Sequence, residues 1–172
     1  MSRLLIVVDM QKDFIDGTLG FEGADRIIPG IAEKISEYEK SGDEIVYTLD
    51  THHEDYMETQ EGKNLPVPHC IEGTDGYLVC DGLRPLLEGK KVFKKPTFGS
   101  LELGNYINGR DYTEIEVCGL VSNICVVSNA VIAKAAATEA EIIVDRKLTA
   151  SFDPKLGEEV FDILSGIQVT VR

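Results

Sequence analysis

The sequence predicts a doubly wound α/β fold, a six-stranded parallel sheet with helices on both faces. Two observations carry this expectation. Short apolar runs bounded by Gly, Asp or Lys alternate along the chain with segments of helical period, the order of a βαβ protein. The runs are also continuously apolar, as in Leu4-Leu-Ile-Val-Val8, which suits strands covered on both faces.

The elements follow in order. Leu4 to Val8 forms the first strand, and Ile27, Ile31, Ile35 and Tyr38 then lie on one helical stripe. Glu44 to Thr48 is the second strand, Leu83 to Leu87 a short helix, and Lys91 to Phe93 the third strand. A helix over Leu101 to Ile107 leads to the fourth strand, Glu114 to Leu120. A long helix is expected from Asn123 to Glu139, with Val127, Val131 and the stretch from Ala133 to Ala137 inside it. The chain continues with a strand over Glu141 to Val144, a helix over Leu156 to Leu164 and a strand over Gln168 to Val171. No repeat, low-complexity tract or shift in composition divides the 172 residues, so one domain is expected. The stretch from Asp50 to about Leu78 is long for a connection in such a fold; loops of this length are usually either functional or disordered, and its Pro66, Pro68 and histidines favour function.

Composition narrows the partners. Thirty acidic residues against 17 basic ones give a net charge of -13, which disfavours nucleic acid and anionic lipid. No signal-like leader opens the sequence, and no apolar run approaches the roughly 18 to 20 residues that span a bilayer. A cytoplasmic location is the resulting expectation. Cys70, Cys80, Cys118 and Cys125 show neither a CxxC pair nor zinc-like spacing and are expected to be reduced.

In an open parallel sheet, ligands bind outside the carboxyl ends of the strands. Asp9 ends the first strand, Asp50 the second, and Lys94 and Lys95 the third, while Cys125 follows the fourth. Taken singly, a strand-end Asp often caps a turn, a Lys is often solvated and a free Cys is often core. Chance would scatter such residues over both ends of the sheet, so their common placement points to a site. A thiol opening a helix would also sense the positive end of the helix dipole, which favours thiolate.

Four segments carry a resemblance to the isochorismatase-like cysteine hydrolases, and within them to the nicotinamidases. They are Leu5-Ile-Val-Val-Asp-Met-Gln-Lys-Asp-Phe14, Leu49-Asp-Thr-His52 with Pro68-His-Cys-Ile-Glu-Gly-Thr74, Phe93-Lys-Lys-Pro-Thr-Phe98, and Gly119-Leu-Val-Ser-Asn-Ile-Cys-Val126. The resemblance implies a single domain over residues 1 to 172 with Cys125 as nucleophile, Asp9 as general acid/base and Lys95 as third member of the triad. It places the oxyanion donors at the backbone N–H groups of Val121 and Cys125, and a cis peptide between Leu120 and Val121. Lys94 competes for the lysine role, but the Lys-x-x-aromatic spacing of Lys95-Pro-Thr-Phe98 favours Lys95, and strand alternation turns Lys94 to the opposite face.

By the same resemblance, Asp50, His52 and His69 are metal ligands, joined by Glu61, with Glu58 as the weaker alternative and His53 on the surface. A carboxylate and two imidazoles suit a divalent ion, Zn first, with Fe or Mn as alternatives. Phe14 and Phe98 are expected to wall the substrate ring, although either could be ordinary core. The implied reaction is amide hydrolysis through a thioester, with nicotinamide as substrate and another small amide, carbamoyl or ureido compound as the alternative. Relatives are commonly dimers or tetramers, so a homo-oligomer is expected. Thr51 stands where nicotinamidases usually carry an aromatic residue, and Gly99 and Leu101 replace the commoner small hydroxyl and aromatic residues. Those departures bear on substrate rather than on chemistry. A phosphoacceptor reading of Asp9 expects an acid at position 11, where Gln11 stands, and a silent binding module would not need all three triad types.

Overall fold

The computed structural model describes residues 2–172. Its sheet contains strands β1 (Ser2–Val8), β2 (Glu44–Asp50), β3 (Lys91–Lys95), β4 (Tyr112–Leu120), β5 (Glu141–Ala150) and β6 (Thr170–Val171). They lie in the order β3-β2-β1-β4-β5-β6, and all neighbours are parallel. The order reverses between β1 and β4, which sets a crevice at the carboxyl ends of those two strands.

Strand β1 shows why the doubly wound form results. Leu4, Ile6 and Val8 enter one buried cluster with Leu103, Val126, Ala130 and Phe161, while Leu5 and Val7 enter another with Ile31, Ile35 and Tyr38. Alternate residues thus face opposite layers, and each layer needs its own helices. Helix α1 (Lys12–Ile15) follows β1 directly, and α2 (Ile28–Ser41) buries the Ile31, Ile35 and Tyr38 stripe. Helices α3 (Gln60–Asn64) and α4 (Arg84–Leu87) are short. Helices α5 (Leu101–Ile107), α6 (Val127–Ala136) and α7 (Pro154–Gly166) supply the opposite layer. The Asp153 side chain caps α7 by accepting from the Lys155 and Leu156 N–H groups, and Pro154 occupies its first turn. No helix among the described residues is long and apolar enough to cross a membrane.

Three expectations need correction. The helix expected from Asn123 begins as a wide π turn, Ser122–Val126, in which the Val126 N–H bonds to the Val121 carbonyl five residues back. Its α-helical part starts at Val127 and stops at Ala136. Apolar period alone does not distinguish a π turn from an α turn. Strand β5 runs on to Ala150 because, after an irregularity at Asp145 to Lys147, Thr149 and Ala150 pair again with Gly119 and Leu120. Strand β6 is only Thr170–Val171, because Gln168 takes a left-handed φ of 66° after α7. The long segment after β2 is held by a bridge between His52 and Ile71 and by a 3-10 turn, Tyr56–Glu58, ahead of α3.

Candidate active site

Asp9, Asp50, Lys95 and Cys125 all meet at the carboxyl edge of β1 to β4. Asp9 is the first residue past β1 and has φ 47°, a left-handed conformation that only a minority of non-glycine residues adopt. Its N–H bonds to the Thr48 carbonyl at 3.3 Å, and the Thr48 hydroxyl donates to Asp9 Oδ1 at 2.6 Å. Strand β4 approaches β1 closely at Gly119, where φ is 115° and a Cβ would stand 2.1 Å from the Val8 carbonyl oxygen. Only glycine fits there. Two residues later the Leu120–Val121 peptide is cis, and the chain enters the π turn that carries Cys125.

Lys95, the last residue of β3, points inward with 1% of its surface exposed. Its Nζ lies 2.6 Å from Asp9 Oδ2, 3.4 Å from Asp50 Oδ1 and 3.5 Å from Cys125 Sγ, and it donates to the Thr97 carbonyl at 3.1 Å. The contact to Asp9 Oδ2 is close yet off the hydrogen-bond line, so that oxygen has no aligned donor. Lys94 points the other way and pairs with Glu72 on the surface. Alternation along β3 therefore separates the two lysines as expected.

The electrostatics run against the pull of the helix end. Burial, then the charge of Asp9, push the Cys125 thiol well above its ordinary range, and Lys95, which faces two carboxylates, offsets only part of this. Burial also raises Asp9 above the usual carboxylate range against the opposing pull of Lys95. Burial alone would lower Lys95, but the charges of Asp9, Cys125 and Asp50 raise it, so it stays an ammonium.

Beside this group stands a second cluster. Asp50, His52, Glu61 and His69 offer ligand atoms that all lie within 4.8 Å of one another. Asp50 Oδ2 is 3.1 Å from His52 Nε2 and 3.3 Å from His69 Nε2, and Glu61 Oε1 is 3.7 Å from each imidazole. His69 Nδ1 donates to the Val67 carbonyl at 2.8 Å, which turns Nε2 toward the cluster, where the neutral ring offers a lone pair. Burial raises the Glu61 carboxyl, helped by the charge of Asp50. Asp50 is lowered despite its burial, through His52 and His69. Two imidazole nitrogens and two carboxylates aimed at one point form a donor set that fits a divalent ion. Glu58 contributes nothing to it, and His53 is exposed, 3.9 Å from Glu72.

A cavity of about 560 Å³ opens beside the cluster, with His52, Glu61, Thr97 and Phe98 in its wall. Phe98 is 46% exposed and lines it. Phe14 is buried edge-on against His69 of the ligand cluster, with 5.7 Å between ring centres. Sequence reasoning missed several supporting residues. Gln11 grips the backbone of Asp50, accepting from its N–H at 2.8 Å and donating to its carbonyl at 2.9 Å, and also donates to the Tyr77 carbonyl at 3.0 Å. Asp13 accepts from the Cys70 N–H at 2.7 Å and so anchors the segment that carries His69. Tyr56 packs against both imidazoles at 4.8 and 5.1 Å. Gln11 and Asp13 lie within a few residues of Asp9, where a polar residue beside a buried strand end is the available signal.

The fold and the paired clusters describe a hydrolase of the isochorismatase type. An isochorismatase domain model matches residues 3–171, and the chain belongs to that family. Among solved structures, it resembles the pyrazinamidase of Pyrococcus horikoshii in complex with zinc at 27% identity and TM-score 0.86, covering 100% of this chain and 99% of that one. It resembles a nicotinamidase/pyrazinamidase from Bacillus subtilis at 26% identity and TM-score 0.88, with 99% of both chains covered. It also resembles an N-carbamoylsarcosine amidase from Thermoplasma acidophilum at 26% identity and TM-score 0.80, covering 100% of this chain and 96% of that one. A search of curated protein sequences found no match.

Proposed function

We propose that the protein is a cysteine-dependent amidohydrolase of the nicotinamidase type, converting nicotinamide to nicotinate and ammonia. The observation that carries this is the position of Lys95 Nζ, within 3.5 Å of Asp9, Asp50 and Cys125, so that triad and ligand cluster share one cation. The similar zinc-bound pyrazinamidase supports the substrate class.

In the proposed reaction, Asp9 removes the Cys125 proton as Sγ attacks the amide carbon. Burial raises this carboxyl above the usual carboxylate range, which makes it a better proton acceptor than an exposed one, and the acid so formed can return the proton. The ammonium of Lys95 keeps Sγ and Asp9 together and balances negative charge as it moves from one to the other. The oxygen of the tetrahedral intermediate faces the N–H groups of Val121 and Cys125. Asp9 then protonates the leaving nitrogen, the C–N bond breaks and ammonia departs, leaving a thioester on Cys125. Water attacks the thioester as Asp9 takes its proton, the C–S bond breaks to release the acid, and Asp9 returns the proton to Sγ to restore the thiol. Asp50, His52, His69 and Glu61 would hold a divalent ion, zinc or alternatively iron or manganese, which when bound supplies a Lewis-acid site for a ring nitrogen. Phe98 would pack on the ring.

A second reading keeps the triad and changes the substrate to a carbamoyl or ureido compound, which the similarity to the carbamoylsarcosine amidase favours. Ammonia release from nicotinamide, pyrazinamide, N-carbamoylsarcosine and a panel of small amides, with and without added zinc, tests both. Activity on the pyridine and pyrazine amides that vanishes in Cys125→Ala is the expected result. Activity retained in Cys125→Ala would overturn the mechanism, and turnover of the carbamoyl compound alone would replace the substrate.

A further inference from the structure

Asn129 lies one helical turn beyond Cys125 on α6, is fully buried, and has no direct contact with Lys95 or Asp9 among its hydrogen bonds. Its side-chain amide joins two separate parts of the chain. Nδ2 donates to the Cys125 carbonyl at 2.8 Å and to the Phe98 carbonyl at 3.1 Å, while Oδ1 accepts from the Ser100 N–H at 3.0 Å. Both N–H donors are used, on two different elements. Ser100 in turn caps α5 by accepting from the Leu103 N–H at 3.1 Å.

The contacts form a closed ring. Lys95 Nζ touches Cys125 Sγ and donates to the Thr97 carbonyl, Thr97 is followed by Phe98, and the Phe98 carbonyl returns through Asn129 to the Cys125 carbonyl. The 96–100 segment sits close to α6 at Gly99, where a Cβ would stand 2.6 Å from Ile132 Cδ1 and the isoleucine side chain would have to shift. That segment also contributes Thr97 and Phe98 to the cavity wall. A buried amide with these three partners fixes separation and orientation together, which apolar packing alone would not do.

We propose that Asn129 is a positioning residue, a tie between the turn carrying the nucleophile and the segment carrying Lys95 and Phe98 that sets the Lys95–Cys125 separation. This rests on Cys125 being the nucleophile, but not on which amide is hydrolysed. Misplacing reacting groups by about 1 Å from a distance can cost on the order of a hundredfold in rate. Thr at this position would separate the two halves of the tie, because its hydroxyl reaches the carbonyl four residues back but not Phe98 or Ser100.

The test measures alkylation of Cys125 by iodoacetamide at neutral pH, located by peptide mass analysis among the four cysteines. It needs no substrate, so a wrong substrate assignment leaves it intact. Asn129→Ala and Asn129→Thr are each made in the native background and in Lys95→Gln, with circular dichroism and thermal midpoint as checks on folding. Both are expected to slow alkylation about tenfold in the native background and less than twofold in Lys95→Gln, the non-additivity of residues that act through one another. On the amide that proves to be the substrate, kcat should fall with little change in KM. Equal slowing in both backgrounds, or no slowing in the native one, would overturn the proposal. If Asn129→Ala fails to fold, Asn129→Thr carries the same comparison.

Discussion

Lys95 Nζ stands 2.6 Å from Asp9 Oδ2 with both side chains sealed from water, and this pair is the pivot of the site. Neither charge has another route to solvent. Removing Lys95 therefore leaves the Asp9 carboxylate buried without a counter-charge, whereas Lys95 without Asp9 keeps Asp50 and the Thr97 carbonyl.

Asp9→Asn should accordingly be nearly inactive while still folded, with kcat lower by about 10² to 10⁴ for loss of a general acid/base. Lys95→Ala should lose comparable activity and in addition about 3 to 5 kcal/mol of stability, the usual cost of breaking a buried pair. Steady-state ammonia release and urea denaturation measure the two effects. A Lys95→Ala variant of native stability would contradict the description of this pair.

The ligand cluster predicts opposite pH trends with and without metal. Burial alone would lower His69, but its bonds to Asp50 and the Val67 carbonyl raise it above the ordinary histidine value of 6.5. A raised folded pKa means that the protonated form favours folding. In metal-free protein this stability is present below pH 6.5 and is lost as pH rises through the folded value. Metal binding requires the neutral imidazole, so zinc should raise the thermal midpoint more as pH increases over the same range. Thermal scans of chelator-treated protein with and without zinc give both curves. His69→Ala should abolish both trends.

Gln11 clamps Asp50 by its backbone N–H and carbonyl. Gln11→Leu keeps much of the volume but leaves those groups without partners, at a cost of about 1 to 3 kcal/mol for a buried unsatisfied group. Zinc affinity should also fall about 10- to 100-fold, the usual effect of losing support behind a ligand. Isothermal titration with zinc checks the second part, and unchanged affinity would show that Asp50 holds its place unaided.

Glu116 lies far from these clusters, buried on β4, with Oε2 near the Tyr38 hydroxyl and Lys34 and with Oε1 unpartnered. Burial, opposed by Lys34, raises its carboxyl above the ordinary value of 4.5. The sign is the same as for His69: the stability it contributes is present below pH 4.5 and declines as pH rises through its folded value. Glu116→Gln should remove that decline. Its thermal midpoint relative to the native protein should rise with pH, by about 2 to 4 °C for each kcal/mol recovered. A constant difference across the range would exclude the carboxyl as its source.

Much of this architecture is legible in the sequence. Local period placed the strands because a run such as Leu4 to Val8 must be buried on both faces, and the topology rule for parallel sheets then gathered Asp9, Asp50, Lys95 and Cys125 at one rim. Lys94 and Lys95 were separable by alternation alone, and the structure places them on opposite sides as that rule requires. The π turn at Cys125 was not legible, since one additional residue in a turn leaves the apolar pattern nearly unchanged. In the sequence Gln11 stands out only as the absence of an acid, and Asn129 carries no signal of its own within an apolar helix. An amide can bridge distant segments or face water, and its neighbours in sequence do not determine which.

The sheet, its two-sided burial and the chemical types delivered to its carboxyl edge follow from local period and strand order. The convergence itself came from packing: Lys95 is shared by two carboxylates and a thiol, Glu61 stands within reach of both imidazoles, and burial raises the Cys125 thiol. Each depends on distances between groups remote in sequence and on how far water is excluded from them. Electrostatic energy varies steeply with both, and no local pattern encodes either.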